Sequence, residues 1–252
     1  MDHLFIFPDS HRPYHHKRHF ELALKSCQSF RPAKRTTPYR VVIGGDFGDF
    51  YCVSDHDKDP RRIKRLDWEL DDIKEGLRQV RQAAGPDAQI DYVEGNHENR
   101  LDRFLMRKAP ELFGLCRYKD LVSFDKYAIR FHEYRKHISI GKLHVTHDVG
   151  NAGAYAHYKA QALSQGNIVI NHTHRIGYAV VGNVLGKPHV GAMFGHLSDT
   201  NQIDYAHRIQ VARDWAYGFG YGYIDPKTEN VHLVPAPIVG NQVIIHGKVI
   251  KG

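Results

Sequence analysis

The chain has 252 residues, of which 42% are hydrophobic and 25% are charged, and these proportions are ordinary for a soluble globular protein with a sizeable core. Its formal net charge of +7 favours an anionic partner such as phosphate or nucleic acid. The three cysteines lack CxxC spacing, which argues against a disulfide framework and a thiolate zinc site and favours a reducing compartment.

The beginning of the chain does not resemble a targeting segment. Asp2 stands where a signal peptide needs a base, and the apolar run that follows is short. No apolar run reaches the roughly 18 residues of a membrane-spanning helix. We therefore expect a cytoplasmic protein with no membrane partner; the sequence leaves homo-oligomerisation open.

Strands and helices alternate along the first two-thirds of the sequence. Short apolar runs that end at polar turns predict strands, and apolar residues at helical spacing predict helices. The predicted strands are 4–7, 39–43, 89–94, 142–147 and 167–171. The predicted helices are 15–29, 59–85, 98–108 and 154–164, and residues 110–136 are predicted to be irregular.

From about residue 178 the pattern changes to short strands separated by Gly, Asn and Pro turns. These strands are predicted at 178–181, 217–224, 231–234 and 243–245. No repeat or linker divides the chain, so residues 1–252 are predicted to form a single α/β domain with a β-rich C-terminal portion. Two packed sheets flanked by helices would account for both parts.

Side chains able to bind metal follow five of the predicted strands. They are Asp9 and His11, Asp46, Asn96 and His97, His147, and His172 with His174. Carboxyl ends of neighbouring parallel strands lie together, and residues two apart on an extended segment point the same way. We therefore expect these groups to converge on one site.

The donors are carboxylates, imidazoles and one carboxamide, which suit divalent ions such as Mn, Fe, Zn, Ni or Co. They exceed what one tetrahedral zinc requires, so two ions that share a carboxylate are predicted. A single histidine at a strand end is more often a hydrogen-bonded structural group. The combination of all five strand ends favours the metal site.

These motifs resemble those of the calcineurin-like metallophosphoesterases, particularly a subgroup common in phages and bacteria. The resemblance runs from residue 4 to about 175 and rests on five segments in order: Asp9-Ser10-His11, Gly45-Asp46, Gly95-Asn96-His97-Glu98, His147 and His172-Thr173-His174. It implies a four-layer α/β/β/α sandwich of two mixed β-sheets flanked by helices, with a dinuclear metal centre at one edge.

The resemblance also implies a role for each residue of these motifs. Asp9, His11 and His174 would hold one ion. Asn96, His147 and His172 would hold the other, and Asp46 would bridge the two. His97 would be catalytic rather than a ligand, because it would lie over the scissile phosphate. Manganese is the first choice among the divalent ions.

Arginines beside the motifs are candidates for binding the substrate phosphate, although single arginines are usually solvated. Arg12 and Arg100 are the preferred pair, and Arg103 and Arg175 are further candidates. The basic run at 61–65 either follows a nucleic-acid backbone or forms the solvated face of its helix. Aromatic residues that alternate with glycines at 217–223 either stack bases or belong to the core.

The predicted function is a metal-dependent phosphoesterase that hydrolyses phosphodiesters in nucleotides or nucleic acid. One alternative is a phosphomonoesterase that acts on small molecules. An alternative of another class is a non-catalytic nucleic-acid-binding protein with structural metals. The presence of His97, which a binding module would not need, favours an enzyme.

Overall fold

The computed structural model describes residues 1–61, 64–182, 186–203 and 214–252. The described residues form two mixed β-sheets and a separate hairpin, with strands labelled here in chain order. Six strands make the first sheet, in the order β11-β10-β1-β2-β3-β4. Their bounds are β1 Asp2–Phe7, β2 Tyr39–Ile43, β3 Gln89–Val93, β4 Ile129–His132, β10 Gly218–Ile224 and β11 Val231–Pro237. Strands β1 to β4 run parallel, whereas β10 is antiparallel to β1.

The second sheet has five strands in the order β5-β6-β7-β9-β8. Their bounds are β5 Ile138–Ile140, β6 Leu143–Val145, β7 Asn167–Val169, β8 Ile176–Gly182 and β9 Pro188–Phe194. Strands β6, β7 and β9 are parallel, and the two edge strands are antiparallel to their neighbours. The hairpin joins β12 Gln242–Ile245 to β13 Lys248–Lys251.

Five α-helices accompany these sheets within the described ranges: α1 Lys17–Ser29, α2 Leu66–Ala84, α3 Asn99–Lys108, α4 Tyr118–Val122 and α5 Ala156–Ser164. Residues of α1 to α4 share a buried apolar cluster with one face of the first sheet. A second cluster contains apolar side chains of both sheets, such as Ile6 and Val169. A third cluster joins α5 to β7 and β9. The mixed α/β class with two sheets and flanking helices is therefore confirmed.

Helix α2 shows why the predicted boundaries were only partly right. Its buried residues Leu70, Ile73, Leu77 and Val80 recur at helical spacing, and Gly85 ends it with φ = 91°, as predicted. The predicted start at residue 59 was wrong, because α2 begins at Leu66. Lys64 and Arg65, directly before Leu66, add no apolar side chain to the buried face of the helix.

The basic run at 61–65 therefore precedes α2 and does not form a solvated face of it; residues 62–63 lie outside the described residues. The predicted irregular stretch 110–136 was also partly wrong, since it contains α4 and β4. Phe219 and Tyr221, in the aromatic run of β10, are buried in the apolar cluster under the helices. Their placement favours the core interpretation over base stacking.

Among the helices in these ranges, none combines the length and the apolar character needed to cross a membrane.

Candidate metal centre

The two sheets bring the predicted strand ends together. Asp9, Asp46 and Asn96 follow β1, β2 and β3, which are adjacent and parallel in the first sheet. His147 and His172 follow β6 and β7, which are adjacent and parallel in the second sheet. Because the sheets share an apolar cluster, these carboxyl ends meet at one edge.

One group of donors consists of Asp9, His11 and His174, all of which are buried. The Nε2 atoms of His11 and His174 are 2.9 Å apart, and His174 Nε2 is 3.2 Å from Asp9 Oδ2. His11 Nδ1 donates a hydrogen bond to Asp49 Oδ1 at 2.9 Å. His11 Nδ1 therefore carries the hydrogen that points at Asp49. Nε2 of the same ring faces Asp9 and His174.

A second group consists of Asp46, His147 and His172, with Asn96 beside it. His147 Nδ1 donates to the Gly44 carbonyl at 2.9 Å. Its Nε2 faces two acceptors, Asn96 Oδ1 at 3.0 Å and Asp46 Oδ2 at 3.2 Å. The His172 backbone N–H donates to Asp9 Oδ1 at 3.3 Å, which links the two groups.

The second group requires a cation at the His147 Nε2 position, because this atom points at two oxygen acceptors. A proton on His147 Nε2 would supply this positive charge. Burial lowers the pKa of His147, but the Asp46 carboxylate raises it to about 10, which favours the protonated ring. Burial alone would raise the pKa of Asp46, but His147 and His97 hold it well below its ordinary value. A metal ion meets the same electrostatic demand without the proton.

The first group has a similar deficit of positive charge. Asp9 Oδ2 is fully buried and accepts no hydrogen bond from the described residues, although His174 Nε2 lies 3.2 Å away. Burial raises the pKa of Asp9, although neighbouring imidazoles such as His147 oppose the shift. Buried carboxylates and imidazole nitrogens in this arrangement could hold metal ions.

His97 lies next to both groups and is oriented by a carboxylate that the sequence analysis did not assign. Its Nδ1 approaches the backbone carbonyl of Asp49 at 2.9 Å and the Asp49 Oδ1 atom at 3.1 Å. Asp49 Oδ1 therefore accepts from the rings of both His97 and His11. Nδ1 of His97 thus faces these acceptors, and Nε2 of the same ring lies 3.8 Å from Asp46 Oδ2.

Arg100 contacts that same Nε2 atom. One guanidinium nitrogen lies 3.0 Å from His97 Nε2, and another donates to the Asp49 carbonyl at 2.9 Å. Burial and the positive charge of Arg100 lower the pKa of His97 to about 4. The ring is consequently neutral at pH 7 in this arrangement.

Glu98 joins the loops that carry Asp46 and His97 through hydrogen bonds. Its Oε2 accepts from the backbone N–H groups of Asp46 at 3.0 Å and Gly95 at 2.9 Å. Its Oε1 accepts from the Gly48 N–H at 2.9 Å and from the Tyr92 hydroxyl at 2.6 Å. The loops after β2 and β3 are thus joined through one fully buried carboxylate.

The close approach of these loops also explains the glycine before Asn96. A β-carbon at Gly95 would overlap both Oδ1 and the backbone nitrogen of Asp46. Asp46 Oδ1 instead accepts from the backbone N–H of His97 at 2.9 Å. Glycine therefore permits the contact between the second and third motifs.

Four of the predicted ligands have left-handed backbone conformations. The φ angles are 53° for His11, 47° for Asp46, 68° for His172 and 57° for His174. These residues lie beyond the ends of their strands, in the bends that follow. The bends, rather than extended alternation, direct the side chains to the site.

Arg12 does not join the group. It is 3% exposed, its Nε donates to Asp72 Oδ2 at 2.8 Å, and its guanidinium lies 4.7 Å from the Phe20 ring centroid. These contacts place the charge between α1 and α2, where it stabilises helix packing. Of the other arginines considered, Arg175 pairs with Asp214 at 2.6 Å.

Asp49, Glu98 and His196 are three buried polar residues at the site whose roles were not predicted from the sequence. The ring of His196 stacks on His174 with centroids 4.9 Å apart, and Trp215 contacts the same His174 ring at 4.2 Å. Asp49 stands three residues after Asp46 in a glycine-rich turn, which was the one available sign of a paired role.

Comparison with known proteins adds no further assignment: no protein-family model matches this chain, and no curated protein sequence matches it.

Proposed function

We propose that the chain is a dinuclear metal-dependent phosphoesterase of the calcineurin-like type, with a phosphodiester in nucleotides or nucleic acid as its substrate. The observation that carries the proposal is the convergence of the predicted donors from five strand ends onto two adjacent groups, with His97 beside both. The two-sheet arrangement agrees with the sandwich expected for that family.

The donor chemistry fits two divalent ions. Asp9, His11 and His174 would hold one ion, and Asn96, His147 and His172 would hold the other. The family resemblance assigns Asp46 to both ions; its Oδ2 lies 3.2 Å from His147 Nε2 in the second group. Carboxylate, imidazole and carboxamide ligands without thiolate suit Mn, Fe, Zn, Ni or Co, and the family resemblance makes manganese the first choice among them.

The chemistry supplied by two bound ions is polarisation of the phosphoryl oxygens and activation of the attacking water. The protein residues then bind and orient the substrate. Arg100 can exchange its contact with His97 for a charge-assisted hydrogen bond to a phosphate oxygen. That exchange removes the guanidinium from the Nε2 atom of His97.

His97 would then act on the leaving oxygen. Arg100 is one of the groups that lower the pKa of His97, so its departure and the arrival of an anionic phosphate would both raise that pKa. The Asp49 contacts keep Nδ1 oriented away, so Nε2 is the atom that would donate a proton. His97 would thus serve as a general acid.

Metal content and the variant His97→Ala test the two parts of this proposal separately. Purified wild-type protein reconstituted with Mn should contain two ions per chain by elemental analysis. His97→Ala should keep both ions and lose roughly 10²- to 10⁴-fold in turnover of bis(p-nitrophenyl) phosphate. His232→Ala, which removes an exposed histidine of β11, is the control and should match wild type.

The choice of substrate decides among the remaining alternatives. Hydrolysis of a bis-ester and an oligonucleotide supports the diesterase, whereas activity restricted to p-nitrophenyl phosphate would indicate a monoesterase. Failure to hydrolyse any of the three with Mn present would favour a binding protein with structural metals. A firm stoichiometry of one ion would refute the dinuclear assignment.

A further inference from the structure

A cavity of about 420 Å³ opens directly beside the proposed centre. It is lined by Asn96, Asn99, Arg103, Tyr134 and Arg135. Asn96 is one of the proposed ligands, so the cavity extends from the position of the reacting phosphate. Two of its five lining residues are arginines and none is acidic, which suits a second anionic group.

The turn that carries Tyr134 and Arg135 is fixed at several points. The backbone N–H of Tyr134 donates to Glu94 Oε2 at 2.7 Å, and its hydroxyl donates to Asp148 Oδ2 at 2.9 Å. Arg135 has a left-handed conformation with φ = 64°. The turn that presents Arg135 to the cavity is therefore held to Glu94 and Asp148 through Tyr134.

The two arginines are only weakly engaged by carboxylates. Arg103 lies 3.5 Å from Asp55, but that carboxylate makes its short contacts, at 2.6 Å and 2.8 Å, with Arg107. Among the described residues no carboxylate lies within ion-pair distance of Arg135, whose guanidinium lies 5.3 Å from the Tyr134 ring centroid. Both charges are therefore available to an anionic ligand.

A larger cavity of about 600 Å³ continues on the other side of Arg135. Its lining includes Val149, Ile168 and the rings of His137 and His144, which are in edge contact with centroids 5.3 Å apart. Its acid, Asp148, is engaged by the Tyr134 hydroxyl. Apolar walls with flat rings suit an unpaired base rather than a second phosphate.

We propose that these cavities form a binding track for single-stranded nucleic acid, in which Arg103 and Arg135 bind the phosphate next to the scissile one. The larger cavity receives the base beyond Arg135. A duplex must first unpair and unstack a base to insert it into such a side cavity, so it should bind more weakly than a single strand. This inference rests on the proposed function for the position of the scissile phosphate.

The test compares binding with hydrolysis in Arg103→Ala and Arg135→Ala. Binding is measured by fluorescence anisotropy of a labelled 12-nucleotide single strand, in the His97→Ala background with Mn and at several salt concentrations. Each arginine removal should weaken binding about tenfold and reduce the salt dependence by about one phosphate contact. A duplex of the same sequence should bind more weakly than the single strand.

Hydrolysis is measured in proteins with His97 intact. Each variant should lose about tenfold in kcat/KM on the oligonucleotide and retain wild-type kcat/KM on bis(p-nitrophenyl) phosphate, which has one phosphate. Arg35→Ala is the matched control: it removes the same charge from an exposed pair with Asp87, near the opposite ends of the strands. It should match wild type on both substrates.

The outcomes separate this inference from the proposed function. Three results would overturn the binding track. They are equal losses of kcat/KM on both substrates, the same loss in Arg35→Ala, and tighter binding of the duplex than of the single strand. A wild-type protein that hydrolyses neither the oligonucleotide nor bis(p-nitrophenyl) phosphate refutes the phosphodiesterase. The anisotropy measurements still test the binding track in that case. Unchanged affinity of the arginine variants for the single strand would rule the track out.

Discussion

Glu98→Gln is expected to destabilise the protein and loosen the candidate centre. The wild-type carboxylate is fully buried and accepts four hydrogen bonds, three of them from backbone N–H groups in two different loops. The fourth comes from the Tyr92 hydroxyl. Four donors on two oxygens use the full acceptor capacity of a carboxylate.

The size of the effect follows from this arrangement. Glutamine keeps one oxygen and replaces the other with an NH₂ group. With that group at the Oε1 position, the Tyr92 hydroxyl can turn to accept from it, but the Gly48 N–H faces a donor instead of an acceptor. One buried donor left unsatisfied costs about 1–3 kcal/mol. A loss of about 2 kcal/mol would lower the melting temperature of a chain of this size by roughly 4–8 °C.

Thermal unfolding followed by circular dichroism, in the presence of a chelator, measures this effect without a contribution from metals. Glu75→Gln is the control, because that glutamate is exposed on α2 and pairs with Arg78. It should change stability by less than about 0.5 kcal/mol. If Glu98→Gln melts within a degree of Glu75→Gln, the reasoning that this carboxylate holds the two loops is refuted.

Other perturbations test neighbouring groups. Asp49→Asn should lower turnover of bis(p-nitrophenyl) phosphate by roughly 10- to 100-fold, because one oxygen of Asp49 orients both His11 and His97; unchanged kinetics would contradict this role. Burial raises the pKa of Glu69 from its ordinary 4.5 to about 8, so the folded protein binds that proton more tightly and should lose stability as pH rises through this interval. Glu69→Gln should flatten the dependence in urea unfolding, and parallel curves for both proteins would count against it. Removal of Mn with a chelator should lower the free energy of unfolding by about 2.7 kcal/mol for each ion present at about 100 times its dissociation constant, and superimposable melts would contradict stabilisation by metal.

The positions of the site residues along the chain were predictable because strand ends are visible in the sequence. β2 has the predicted bounds, and β3 ends one residue before the predicted end. Each short apolar run stops where a polar turn begins, and that pattern does not depend on tertiary packing. The donors of both sheets could therefore be assigned to the correct strand ends from the sequence alone.

How those donors divide between groups was not predictable from spacing. Alternation along an extended segment would send His172 and His174 to the same place, whereas His174 joins Asp9 and His172 joins Asp46. Both histidines lie beyond the end of β7 with positive φ, so period-two reasoning does not apply to them. The division depends on bends whose geometry has no periodic pattern in the sequence.

Arg12 and Glu98 show a further limit. Arg12 follows a ligand, yet its side chain turns towards α2 and pairs with Asp72. Glu98 stands at the start of α3, where an acid is common for local reasons, but its four partners come from β3 and from the loops after β2 and β3. Roles that depend on residues distant in the chain become visible only when the loops are seen together.

The left-handed backbone at four proposed ligands has a consequence for engineering this protein. Each such non-glycine residue costs on the order of 1 kcal/mol, and histidine and aspartate tolerate it better than most residues. Glycine at His11 or His172 would relieve that cost while removing a donor. Selection for heat resistance alone, in the absence of metal, would therefore favour loss of the site, so a thermostabilisation campaign on this chain should retain a metal-binding screen at every round.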